Sequence, residues 1–152
     1  MIVFFLTQRS KYVKILYFIR YNYGIITEYS EKRGGNMSYN EKLRGNLFEL
    51  QDLNYRDFHS KLLPGIDKET IIGIRTPVLR KFAKEFAGTE GAAEFIQDLP
   101  HRYYEENNLH MMLITAIKDY EQCLEEIQRF LPYINNWATC DLHLPKCFQK
   151  HK

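Results

Sequence analysis

From Met37 onward the sequence predicts an all-α protein built of stacked antiparallel helix pairs, an α-solenoid. Three observations carry this. Apolar residues recur at three- and four-residue spacing in one block after another. Hydroxyl residues, prolines and glycines bracket those blocks as start and stop signals. Only residues 70–74 read as strand-like, and that run is too short to compete. Helices of this length joined by loops of a few residues stack as antiparallel pairs. No clean sequence repeat accompanies them.

The elements follow in order. Ser38 and Glu41 form a capping-box pair, and Leu43, Leu47, Phe48 and Leu50 continue as one apolar stripe. A short helix is expected over residues 55–63, stopped by Pro64-Gly65. Thr76 as cap and Pro77 as first helical residue open the next, whose inner face is Val78, Leu79, Phe82, Ala83 and Phe86. Gly88 ends it. Thr89 caps a helix carrying Ala92, Ala93, Phe95 and Ile96, closed before Pro100. Residues 103–118 give the clearest stripe: Leu109, Met112, Leu113, Ala116 and Ile117. Residues 121–131, with Leu124, Ile127 and Phe130, run up to Pro132. A last helix opens near Asn135 or Asn136. Asp141 begins a further element, with Pro145 and Phe148, that has no partner to bury it, so the natural protein is expected to continue beyond Lys152.

A chain of 152 residues with 45% hydrophobic and 26% charged residues points to one ordered domain. The net charge of +2 hides an asymmetry. Residues 1–36 hold six basic and two acidic residues, whereas residues 37–152 hold 15 basic and 17 acidic ones. Net charge therefore gives the main body no nucleic-acid signature, and a DNA-facing surface must come from local clustering of Lys and Arg. Three cysteines, Cys123, Cys140 and Cys147, form no disulfide framework and fit reduced thiols in a cytoplasmic protein. No apolar run is long enough to span a membrane. No membrane partner is expected, and the protein is expected to be a monomer.

Residues 1–36 differ from the rest. They are rich in Ile, Phe and Tyr, and basic residues interrupt every apolar run. The order is wrong for a signal peptide, which places charge first and a small-residue cleavage site last. Glu31-Lys32-Arg33-Gly34-Gly35-Asn36 can be encoded by purine-rich codons containing AGGAGG just before the ATG of Met37, the layout of a bacterial ribosome-binding site. Residues 1–36 are thus expected to be a non-native or disordered leader, with 37–152 as the folded domain. The competing reading is a basic extension that binds a membrane or a partner.

The most informative stretch is Trp137-Ala138-Thr139-Cys140-Asp141. In a helix Trp137 and Asp141 stand one turn apart and project from one face. An indole can stack on a base or attract a cationic one. A carboxylate beside it can stabilise positive charge developing at a sugar carbon. Spacing alone favours the plainer reading, a core Trp followed by a solvated Asp. Arg75, Arg80, Lys81 and Lys84 form a basic run around one helix start, either a solvated face or a set of phosphate contacts. Cys140, His143, Cys147 and His151 match the spacing of no common zinc site and enclose Pro145, so no metal is expected. His110, Tyr103 and Tyr104 read as packing residues.

Three segments occur in a telling order: Gly73-Ile74-Arg75-Thr76-Pro77 with Arg80, then Tyr104-Glu105-Glu106-Asn107-Asn108-Leu109-His110-Met111-Met112, then Asn136-Trp137-Ala138-Thr139-Cys140-Asp141. In this the chain resembles the DNA alkylation repair family of HEAT-like repeat glycosylases, the AlkD-like proteins, over residues 39–152. The resemblance implies hydrolysis of the N-glycosidic bond of cationic N3- or N7-alkylated purines in double-stranded DNA, with no metal or other cofactor. It implies that Asp141 is catalytic and that Trp137 lies beside it on the concave DNA-binding face. The candidate DNA contacts, Arg75, Arg80 and Lys84, come from the basic run. The family often places a second aromatic beside this Trp, where the chain has Asn136. A further Trp and a DNA-contacting Arg lie downstream in the family. The alternative is a non-catalytic HEAT-like module that binds DNA structures or a protein partner.

Overall fold

In the computed structural model of the chain, residues 39–141 together with Pro145, Cys147 and Phe148 are described. The expected leader over 1–36, the expected start at Met37, the expected Ser38 cap, His143 and His151 lie outside the described residues. The described residues are all-α, as expected, and include no strand. Seven α-helices follow in order: α1 (Tyr39–Glu49), α2 (Leu53–His59), α3 (Thr76–Phe86), α4 (Glu90–Gln97), α5 (Tyr104–Ala116), α6 (Tyr120–Phe130) and α7 (Trp137–Asp141). Short 3-10 turns occupy Ser60–Leu62, Lys68–Thr70 and Leu131–Tyr133.

Side-chain caps set most of the starts. The Asp52 carboxylate accepts the Tyr55 N–H at 2.9 Å, so α2 begins at Leu53, two residues before the expected start. Thr89 Oγ1 accepts the Ala92 N–H at 3.1 Å and opens α4 as expected. Asp119 Oδ1 accepts the Gln122 N–H at 2.9 Å and opens α6. Thr76 is not the cap of α3 but its first helical residue. The cap is Arg75, whose extended backbone turns its carbonyl to the Val78 and Leu79 N–H groups at 2.9 and 3.0 Å. Pro77 still sits in the first turn, where its missing N–H costs nothing. Gly88, at φ +86°, takes the left-handed conformation that stops α3.

α5 is the hub, with α3, α4, α6 and α7 all packed on it. It is buried from Tyr104 to Ile114 except at Asn107, so it has no single apolar stripe. One side meets Leu43, Leu47, Leu79, Ala83, Ala92 and Phe95 through Leu109, Met112 and Leu113. Another meets Cys123, Phe130 and Cys147 through Met111 and Ile114. Burying each Leu or Phe in this way contributes roughly 1.5–3 kcal/mol. Three residues expected inside are outside. Val78 is 40% exposed, because a residue turned 100° from Leu79 leaves the inward stripe of Leu79, Phe82, Ala83 and Phe86. Phe48 is 41% exposed beside the buried Leu47 and rests edge-on against Tyr103 at 5.3 Å. Ala116 ends α5 in solvent.

The apolar stretch at 71–74 is extended but pairs with no strand. Instead, the buried Glu105 carboxylate accepts the N–H groups of Ile72, Gly73 and Ile74 at 2.8, 2.7 and 3.1 Å. Gly73 is required here. It has φ +94°, and a Cβ would lie 2.6 Å from Arg56 Cβ and 2.8 Å from the Asp52 carbonyl oxygen. Glu106, one residue on, takes the N–H groups of Arg102 and Tyr103 at 3.0 and 2.9 Å and the Arg44 Nε at 2.7 Å. Glu105 thus anchors the entry to α3, and Glu106 anchors the start of α5.

His110 is a core histidine, as expected. His101 stacks on Phe95 with ring centroids 4.2 Å apart, and His110 stacks on Phe130 at 4.1 Å. The two imidazoles share a hydrogen bond of 2.7 Å. Burial, with Arg44 near His101 and with His101 and Arg129 near His110, lowers His101 to about 4 and His110 to about 3. The unfolded rings titrate near 6.5. Between that value and about 4 the unfolded chain binds protons that the folded chain refuses, so stability is full above the unfolded value and falls as pH falls. Thermal unfolding followed from pH 7 to 4 is expected to show a steadily falling midpoint. A flat profile would contradict the buried neutral pair.

Candidate functional site

α7 is held from below and open above. The Asn136 side chain caps it, its Oδ1 accepting the Thr139 N–H at 2.8 Å. Ala138 and Thr139 are its buried residues. Ala138 packs with Leu63, Ile71 and Tyr104, and the Thr139 hydroxyl donates to Asn108 Oδ1 on α5 at 2.7 Å. With those two residues facing inward, the helical repeat turns Trp137 and Asp141 outward together. Trp137 is 57% exposed and Asp141 is exposed. The core-Trp reading that spacing alone favours is therefore overturned: the indole lies on the surface, one turn from a carboxylate.

The same side of α5 carries a second feature. Asn108, Met112 and Thr115 are spaced i, i+4 and i+7 and share a face. Asn108 receives α7. Met112 and Thr115 line an open groove of about 760 Å³ together with Arg80, Lys84 and Lys118, whose floor includes Ala83 and Cys147. Arg80 and Lys84 are one turn apart on α3, so both reach the groove.

Arg75 stands apart from that groove. Its guanidinium forms an ion pair with Asp52 at 3.0 Å and lies 5.0 Å over the Tyr55 ring. The Tyr55 amide and the Arg75 guanidinium together hold the Asp52 carboxyl below its ordinary range. Lys81 is exposed and lines no part of the groove. Of the basic run, then, Arg80 and Lys84 are brought together and Arg75 is fixed elsewhere. Lys118, Asn108 and Thr139 escaped the sequence reading. A lone Lys after a helix carries no local signal, and the partnership of Asn108 with Thr139 spans 31 residues.

The two described members of the Cys/His quartet do not share a site. Cys140 is exposed, and Cys147 is buried in one cluster with Cys123. Burial and the neighbouring Cys147 push the Cys123 thiol up to about 12, so it is an inert core thiol. Among the described residues no group of three or more His, Cys, Asp or Glu side chains could hold a metal ion. Among them, too, no helix is long and apolar enough to cross a membrane.

The described residues thus form an all-helical body with an exposed indole and carboxylate one turn apart and a groove lined by Arg80, Lys84 and Lys118. The chain matches the family model described as DNA alkylation repair enzyme over residues 42–152. It belongs to that family, which gives it a role in DNA repair with DNA as its partner. Comparison with curated proteins and with solved structures gives no match.

Proposed function

We propose that the protein is a DNA glycosylase of the AlkD-like kind, hydrolysing the N-glycosidic bond of N3- or N7-alkylated purines in double-stranded DNA. The observation that carries this reading is the exposure of Trp137 and Asp141 side by side, on the side of α5 that also carries the Arg80–Lys84 groove. An alkylated purine of this type is already a cation and leaves without a general acid. The C1′–N bond breaks, its electron pair neutralises the departing base, and positive charge develops on the sugar. Asp141 stabilises that charge and orients a water, which adds its oxygen to C1′ and releases its proton to solvent. Trp137 covers the cationic base. Arg80 and Lys84 contact phosphates and fix the duplex in register, and Arg75 contacts it beyond the groove.

The test is incubation of the full-length protein with a duplex carrying one 7-methylguanine. Free 7-methylguanine and an abasic strand are expected. A bound but intact lesion would replace the glycosylase with a non-catalytic DNA-binding module. The phosphate contacts have their own test. Affinity should fall steeply with salt, and Arg80→Glu with Lys84→Glu should reduce the log–log slope by about 2. An unchanged slope would return both residues to a solvated face.

A further inference from the structure

We propose that Asn108 and Thr139 are positioning residues, and that their buried hydrogen bond sets the angle at which α7 presents Trp137 and Asp141. The proposal rests on the glycosylase reading for its chemical consequence but on geometry for its cause. α7 runs only from Trp137 to Asp141, too short to hold its own shape in water. Its buried apolar groups are two methyls, those of Ala138 and Thr139. Non-directional contact through so little apolar surface does not fix rotation about the helix axis. A directional bond to the fully buried Thr139 does.

That bond is fully specified at both ends. The Thr139 hydroxyl donates to Asn108 Oδ1 at 2.7 Å and accepts from Asn136 Nδ2 at 3.0 Å. Both of its polar capacities are used, so one rotamer is enforced. Asn108 is itself buried, and Tyr104, one turn before it on α5, packs with Ala138 of α7. The Tyr104 hydroxyl in turn meets His59 Nε2 at 3.2 Å, and His59 Nδ1 meets the Tyr55 hydroxyl at 3.4 Å. The position of α7 is thereby referred through α5 to α2. Thr139 lies two residues from Trp137 and two from Asp141, so a small rotation at 139 swings both functional side chains. A displacement near 1 Å at a reacting group costs up to about a hundredfold in rate.

The experiment uses two readouts on the full-length protein. Trp137 is the sole Trp of residues 1–152, so with any Trp beyond residue 152 replaced by Phe its fluorescence anisotropy decay and its quenching by acrylamide report α7 alone. Single-turnover release of 7-methylguanine at saturating duplex reports the chemistry. Thr139→Val keeps the shape and removes the hydroxyl; Thr139→Ser keeps the hydroxyl. Thr139→Val is expected to add fast depolarisation of Trp137 and to slow release about tenfold or more, with helicity and duplex Kd unchanged. Thr139→Ser should restore both readouts. Should Thr139→Val fail to fold, Asn108→Ala removes the acceptor from the other side and must give the same pair of changes. Unchanged Trp137 dynamics in the folded Val or Ala variant, or a Ser variant as impaired as Val, would overturn the proposal. Altered Trp137 dynamics in the variants, with no base released even by the wild type, would uphold the positioning and remove the glycosylase reading. Normal dynamics with normal release would do the reverse.

Discussion

Free 7-methylguanine should appear about 10²–10³ more slowly with the Asp141→Asn protein than with the wild type. Asn matches Asp in size, removes the charge and turns one acceptor oxygen into a donor, so the substitution removes the electrostatic support of the developing sugar cation together with one acceptor for the water. That contribution is worth a few kcal/mol when a preorganised group is lost from a reacting centre, which is about 10²–10³ in rate. Asp141 is exposed at the end of α7, so its charge is not needed to hold the core together. Helicity and duplex affinity should therefore stay near wild type. Single-turnover chromatography of the released base, with binding measured in parallel, checks this. Equal rates for variant and wild type would remove Asp141 from the chemistry.

Glu105→Gln is expected to cost about 3 kcal/mol of stability and lower the unfolding midpoint by roughly 10–20 °C. The carboxylate serves three N–H donors, Ile72 on one oxygen and Gly73 and Ile74 on the other. A glutamine has one acceptor oxygen, and its NH₂ group would face an N–H that it cannot accept. One buried donor, or two, is then left without a partner. Burial pushes the Glu105 carboxyl up and the backbone donors pull against it, so the loss in Gln is that of an acceptor oxygen rather than of the charge. The damage should spread toward the functional side, since Ile71 packs with Ala138 of α7 and Arg75 leads into α3. Calorimetric or circular-dichroism melting measures the effect. A midpoint within about 3 °C of wild type would show that water or a relaxed backbone replaces the lost acceptor.

How far the fold was legible depended on whether a signal was local. The Thr89 cap and the Gly88 stop lie within a few residues of what they control, and α4 and the end of α3 followed the sequence closely. α5 was under-read for the opposite reason. A helix with neighbours on nearly every side shows no clean amphipathic stripe, and its buried Glu105, Glu106 and Asn108 look like solvent-facing residues until their partners are seen. Residues 70–74 looked strand-like because Ile71, Ile72 and Ile74 are all buried, but their backbone partner is a side chain about 30 residues away. At the site, the one-turn spacing of Trp137 and Asp141 was enough to place them on one face. Their exposure was not legible, because it follows from Thr139 and Ala138 facing inward. Nor could the sequence divide the basic run. Arg75 is drawn away by Asp52, 23 residues earlier, whereas Arg80 and Lys84 share a groove with Lys118.

On the glycosylase reading, one carboxylate beside an indole suffices because the departing base is already cationic. Release rates from two duplexes that differ only in the lesion test it most directly: one with cationic 7-methylguanine, the other with neutral hypoxanthine. The wild-type protein is expected to release 7-methylguanine in a single turnover and no hypoxanthine above the uncatalysed background, with both duplexes bound. Release of both bases at similar rates would reveal a general acid that this site does not provide, and release of neither would contradict the glycosylase reading.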